Sequence, residues 1–292
     1  MLKATVILVL RRLPSVYALL GVLDEPEWAG VRARLCDARG RFPTRRTWER
    51  RLGQVAARLP VWIARVGRLL VEGLRLWEED GRAVALDSTA LQARGKPWHQ
   101  RQRRTGLCPD TRIDRDAHWC QAGWHGWVYG YKLHTLLTVC PQLGVWVPLA
   151  AAVTPANVAD CAQAPLLLDD LAPLVLARLL VLADSAYRGS AIEQRCARDG
   201  RVLVASRRGQ HPPNAGTPVR QVFHALRSQA IENWHSQFRH IFDLSGQLPT
   251  RGLVATQRFV LGAVFTYQLV ILDRFLDGRS LRAGLQAALQ AA

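Results

Sequence analysis

Two short, unbroken apolar runs, each ending in an aspartate, constrain this chain more than any other feature. Val84-Ala85-Leu86 leads into Asp87, and the run from Leu179 to Ala183 leads into Asp184. Apolar runs this short read as strands covered on both faces, which calls for helices on both sides of a sheet. Between them, Tyr129 to Val139 and Val145 to Val153 read as two further strands. They flank a turn from Cys140 to Gly144 and are expected to run antiparallel. Val202 to Ala205 is a fifth short strand.

Helical segments fill the intervals. Asn157 to Leu171, Ser190 to about Gly200, Gln221 to Phe242 and Leu253 to about Leu276 carry helical patterning. Residues 1 to about 80 also read as helical. There Thr44 caps a helix whose Trp48, Leu52, Val55 and Leu59 form one apolar stripe, and a second helix follows Pro60. The stretch from Gln92 to Gly126 is polar and reads as loop. Three strands in a meander, then helix, strand, helix, strand and helix, is the order of a ribonuclease-H-like α/β fold. The expectation is a mixed five-stranded sheet flanked by helices. An N-terminal helical region (1–80) would precede the catalytic domain (81–250), with C-terminal helices (251–292) packed on it. The N-terminal region is either a DNA-binding unit or a solvated bundle.

In that topology the first and fourth strands are neighbours, so Asp87 and Asp184 converge at their ends. Two carboxylates so close repel unless a cation lies between them, so such a pair suits a divalent metal. The alternative is a pair of aspartates capping turns. A third carboxylate is expected on a helix over that edge, and Glu232 is placed for it. Ile231, Trp234, Phe238 and Ile241 form the buried stripe, and Glu232, His235 and Arg239 form a line beside it. Arg239 is then set to meet a phosphate.

Charge points the same way. The chain of 292 residues has 39 basic and 23 acidic residues, for a formal charge of +16, and 49% of it is hydrophobic. It can bury a sizeable core, and the excess of positive over negative charge suits a polyanion such as nucleic acid. Arg94, Lys96 and Trp98 belong to a basic stretch with an aromatic in it, a pattern suited to gripping a strand. The loop at Arg207 and Arg208 is a weaker candidate. The six cysteines form no CxxC pair; Cys108, His118, Cys120 and His125 lie close in sequence, but their spacing matches no common zinc pattern. The apolar run Ala4 to Leu10 is too short for a membrane span, and basic residues follow it, the reverse of a secretory signal. The expectation is a cytoplasmic protein with no membrane partner.

Five strings occur in order: Asp87-Ser88-Thr89, Tyr129 to His134, Thr154 to Asp160, Leu182 to Tyr187 and Ile231 to Trp234. Together, over roughly residues 40 to 285, they resemble the DDE transposases of bacterial insertion sequences. The resemblance implies that Asp87, Asp184 and Glu232 are a catalytic, metal-binding triad. It also implies that Lys132 and His134 lie beside the site, where one contacts a phosphate or His134 simply packs. Around Glu232, the relatives' Tyr and Arg positions hold Ala225 and Ser228, with Arg227 adjacent. Their Lys position holds Arg239, which keeps the charge. The implied activity is two-metal hydrolysis at element ends followed by strand transfer to target DNA, with Mg²⁺ as the cofactor and Mn²⁺ as a substitute. The expected partners are terminal inverted repeats, target DNA and a second copy of the chain. A nuclease without strand transfer and an inactive DNA-binding regulator are the competing readings.

Overall fold

A computed structural model of the chain describes residues 1–79, 82–123, 126–141, 144–171, 179–205 and 218–281. Its elements run in the order α1 (Leu2–Leu10), α2 (Val16–Asp24), α3 (Ala29–Ala33), α4 (Arg45–Gly73), α5 (Leu76–Glu79), β1 (Ala83–Gln92), α6 (Gln100–Arg104) and β2 (His118–Ala122). There follow β3 (Gly126–Thr138), β4 (Pro148–Pro155), α7 (Asp160–Asp169), β5 (Leu180–Ala183), α8 (Ser190–Arg198), β6 (Val202–Ala205), α9 (Pro218–Ile241) and α10 (Leu253–Leu276).

The sheet is mixed and flanked by helices, but it has six strands rather than five. Its order is β2-β3-β1-β5-β6, with β4 also paired to β3. β1 pairs antiparallel with β3 and parallel with β5, so the first and fourth expected strands are indeed neighbours. The additional strand, β2, comes from the stretch that reads as loop. Its residues gain their strand character from pairing with the start of β3, where Trp119 lies opposite Tyr129 with ring centroids 5.3 Å apart. Such a cross-strand aromatic pair is a tertiary gain that a polar, arginine-rich composition hides.

The rest of that stretch is pinned by Asp114 and Asp116. Asp114 accepts hydrogen bonds from the Tyr131 hydroxyl (2.8 Å) and the Gly252 backbone N–H (2.9 Å), and Asp116 accepts from the Leu253 N–H (2.8 Å). Both carboxylates therefore satisfy free N–H groups at the start of α10 and complement its dipole. The helix has no capping side chain of its own.

α10 has the length and mean hydropathy (1.6) of a membrane span, yet 61% of its most apolar window is buried inside the protein. It packs on α4, β4 and α1, which makes it a core helix here. One continuous apolar core joins residues of α1, α4, the sheet and α10. The N-terminal run that begins the chain is thus core material, with Thr5 and Val9 closing on Gly262.

α4 differs from expectation in being unbroken through Pro60. A mid-helix proline costs roughly 3 kcal/mol through one lost hydrogen bond and a steric clash. The buried stripe that continues past it, through Leu59, Ile63, Leu70 and Val71, offsets that cost against α10 and β4. Where α4 crosses β4, Gly67 permits contact: a β-carbon there would lie 2.5 Å from the Pro148 carbonyl oxygen. Beside it the buried Gln268 amide donates to the carbonyls of Ile63 (2.9 Å) and Pro148 (2.7 Å), tying three elements together.

Two alanine substitutions in this helix should therefore act in opposite senses. Gly67→Ala gains about 1 kcal/mol of helix propensity but forces a rigid backbone contact apart, for a net loss of about 1–2 kcal/mol. Gly53→Ala meets nothing within 4 Å and should gain up to about 1 kcal/mol. Denaturant midpoints of the two variants check the pair.

Candidate active site

The site forms where β5 stops and β1 continues. Leu86 pairs with Ala183 as the last rung between these parallel strands, so Asp87 and Asp184 stand next in line. In-register residues on adjacent parallel strands point to one face, with backbones about 4.8 Å apart. Asp87 is not the end of its strand, as its apolar run suggests. β1 carries on beside β3 as far as Gln92, and only its β5 side is open beyond Asp87. Asp184 follows β5 directly, with one carboxylate oxygen accepting the Ala186 N–H at 2.8 Å.

α9 covers the Asp87 side of the sheet. Thr135, opposite Asp87 on β3, hydrogen-bonds His235 of α9 at 3.1 Å. Ile231, Trp234 and Phe238 of α9 are fully buried, as their spacing predicts, whereas Ile241 is half-buried and Phe242 completes the stripe. One turn before Glu232, Arg227 reaches the sheet. Its Nη1 lies 3.1 Å from Asp87 Oδ2, and its Nη2 lies 3.5 Å from Glu232 Oε1. The guanidinium therefore links two of the three expected carboxylates. Among the described residues, no three His, Cys, Asp or Glu side chains come together as a ready metal cage. Glu232 itself is 60% exposed, against 19% for Asp87.

Burial raises the Asp87 carboxyl to about 6; Arg227 opposes that rise and Asp184 adds to it. His235 is driven the other way, down to about 3, by burial and then by Arg239 and Arg227. It is a neutral imidazole that holds Thr135, and its line beside Glu232 is buried rather than rim-like at this point.

Strand alternation sends the next residue to the opposite face. Ser88, Lys132 and His134 all meet Asp160, at the start of α7. The Ser88 hydroxyl donates to Asp160 Oδ1 at 2.9 Å, Lys132 Nζ lies 3.0 Å from it and His134 Nδ1 3.5 Å. His134 also bonds the Thr154 hydroxyl at 2.9 Å, and burial lowers its pKa to about 4. Lys132 and His134 do share a direction, but the structure sets them under α7 with partners of their own, away from the Asp87 face. His134 is fully buried and so has no access to a phosphate.

The basic stretch is also partly committed. Arg94 donates to the Pro249 carbonyl at 2.8 Å, and Lys96 pairs with Asp110 at 3.2 Å. Trp98 donates to the Leu107 carbonyl, and Arg103 covers its ring at 4.9 Å. Arg94 and Lys96 stay exposed, while Trp98 is half-buried as a packing residue. Arg239 lines a cavity of about 330 Å³ with Trp119, Trp127 and Tyr129. On α4, Arg45, Arg46, Arg50, Arg51 and Arg58 are exposed. Arg207, Arg208 and His125 lie outside the described residues.

Arg227, noted in the sequence only as adjacent to a family position, is the residue that the motifs did not assign to the candidate site, and Asp160 is the unassigned partner of Lys132 and His134 on the other face. The signal for Arg227 was electrostatic: three expected carboxylates beside a buried strand end require a cation, and a nearby arginine on the same helix is the simplest source.

A mixed six-stranded sheet flanked by helices, with Asp87 and Asp184 next beyond the last β1–β5 rung and the Glu232 helix packed over it, is of the ribonuclease-H-like class. The sequence matches the family model described as the transposase DDE domain over residues 78–237, more than half of its length, and the chain belongs to that family. Among solved structures, the Mos1 transposase paired-end complex with left transposon end is similar at 12% identity. The match covers 87% of this chain and 77% of that one with a TM-score of 0.27, a superposition too loose to argue from. No curated protein matches the sequence significantly.

The depressed His235 sets a pH dependence. A histidine neutral in the folded state but protonatable at about 6.5 when unfolded stabilises the fold above that pH, and the contribution is lost as pH falls toward about 3. By pH 5 the loss from His235 is about 2 kcal/mol. His235→Gln should show a correspondingly shallower acid slope in denaturant melts between pH 7 and 5; an unchanged slope would contradict the assignment.

Proposed function

We propose that this chain is the DNA transposase of an insertion sequence, with Asp87, Asp184 and Glu232 as its catalytic carboxylates. The observation that carries the reading is the Asp87–Asp184 alignment beyond the last β1–β5 rung, in a chain of the transposase DDE domain family. Glu232 joins them through Arg227, on the helix that crosses the same strand.

The donor set suits divalent cations. It is all carboxylate, it draws in a positive group already, and Asp184 and Glu232 each keep an oxygen with no protein partner among the described residues. Two Mg²⁺ ions, or Mn²⁺ in their place, would be held by Asp87, Asp184 and Glu232 and would supply Lewis-acid activation for in-line attack on phosphorus. The protein's own part is positional. The backbone beyond the last β1–β5 rung fixes Asp87 and Asp184, the Ser88 and Ala186 N–H groups each orient one oxygen, and α9 packs over the Asp87 face.

DNA as the substrate fits the +16 charge and the exposed arginines of α4, with Arg94, Lys96 and Arg239 nearer the sheet. Terminal repeats and target DNA are the two substrates, nicking precedes strand transfer, and two copies of the chain act together because two ends must be processed. That work belongs in the cytoplasm, at the nucleoid. It requires no membrane, and among the described residues the one helix long and apolar enough to span one lies in the core.

The test uses labelled element ends, Mg²⁺ and a target plasmid. The parent protein should give joined products, whereas Asp184→Asn should cut and join at least about a thousand-fold more slowly while still binding DNA. Cleavage without joined products would replace the reading with a nuclease. Parent-level activity in Asp184→Asn would overturn the carboxylate assignment.

A further inference from the structure

Both oxygens of Asp87 are engaged. Its Oδ1 accepts the Ser88 backbone N–H at 2.8 Å, a bond fixed by the strand, and its Oδ2 faces Arg227 Nη1 at 3.1 Å. A metal on Oδ2 at about 2.1 Å would be crowded by the guanidinium, whose Nη1 stands 3.1 Å from the same oxygen. Two cations on one oxygen repel, so occupancy by one weakens the other.

Arg227 is also not held as a structural arginine is. Arg103 in the same protein donates to the carbonyls of Ala117 (2.9 Å) and Arg115 (3.1 Å) and lies over the Trp98 ring. Arg227 is 12% exposed, and among the described residues its Nε is buried without a hydrogen-bond partner while its guanidinium nitrogens face Asp87 and Glu232. A buried, unsatisfied donor carries a standing desolvation cost. The side chain thus stays for the carboxylates' charge, and Glu232 marks a solvent-open side by which it can leave.

We propose that Arg227 is the resident counter-ion of the metal-free site, and that a divalent cation binds Asp87 only by displacing it. This rests on the carboxylate-site reading above. The arginine keeps the acidic cluster from repelling itself apart before metal arrives, and it makes loading an exchange of cations rather than entry into an empty cage. Metal affinity without DNA is accordingly held below what the carboxylates alone would give.

The experiment is a Mn²⁺ titration of the full chain without DNA, read by electron paramagnetic resonance or calorimetry, alongside thermal melts in chelator and in saturating Mn²⁺. Arg227→Gln should bind Mn²⁺ about tenfold more tightly than the parent. It should melt lower in chelator and recover when Mn²⁺ is added. Arg227→Lys, which keeps the charge, should bind close to parent level, and Asp87→Asn should abolish the binding in either background. Unchanged or weaker Mn²⁺ affinity in Arg227→Gln, with binding still dependent on Asp87, would overturn the counter-ion role and leave the carboxylate site standing. An Arg227→Gln protein that stays destabilised in saturating Mn²⁺ would mark a purely structural arginine. No Asp87-dependent binding in any variant would overturn both readings.

Discussion

A carboxylate carried into a protein interior must keep a cation beside it or surrender its charge, and the centre of this molecule is organised around that requirement at Asp87. Burial alone pushes the group toward its neutral form, and Asp184 pushes it further. Arg227 supplies the opposing charge from α9, so the helix is tied to the sheet through the site as well as through Ile231, Trp234 and Phe238. Stability and the proposed chemistry therefore rest on the same few atoms. The fold tolerates the acidic pair because a cation of some kind answers it.

The period-two alternation of β1 separates two polar systems that are adjacent in sequence. Asp87 faces α9 and the acidic cluster, while Ser88 faces α7 and joins Asp160, Lys132 and His134 in an internally paired group. A one-residue change of register would exchange these faces and bury the wrong set. The Asp160 group is well placed to hold that register: it connects β1 and β3 to α7 through side chains, in addition to the backbone ladder. The clamp of Asp114 and Asp116 on the start of α10 does similar work at the other end of the core, fixing a long apolar helix by the N–H groups of its first turn.

Much of this was legible in the residues. The apolar runs before Asp87 and Asp184, the stripe on α9 and the apolar length of α10 each carry a periodicity that survives in the structure. The β1–β5 adjacency followed from the ribonuclease-H-like order of elements. What periodicity could not reveal were features owed to partners distant in sequence. β2 exists because β3 extends to meet it, and α4 runs through Pro60 because α10 and β4 hold it together. β1 outlasts its apolar run because β3 continues to pair with it after β5 ends. Lys132 and His134 were legible as a pair sharing one direction, but not as partners of Asp160, since strand alternation fixes sides and not what lies on them.

By itself the sequence determined the class of fold, the family, and two aspartates aligned on neighbouring strands, because those depend on local patterning and on the order of elements. Tertiary structure decided how the site is neutralised. Arg227 and Glu232 are brought to Asp87 by the packing angle of α9 on the sheet, and the depth of Asp87 sets how strongly it attracts them. Charge compensation depends on distances across elements, to which neither motif nor hydrophobic period refers, so only the folded arrangement shows that a guanidinium stands beside Asp87.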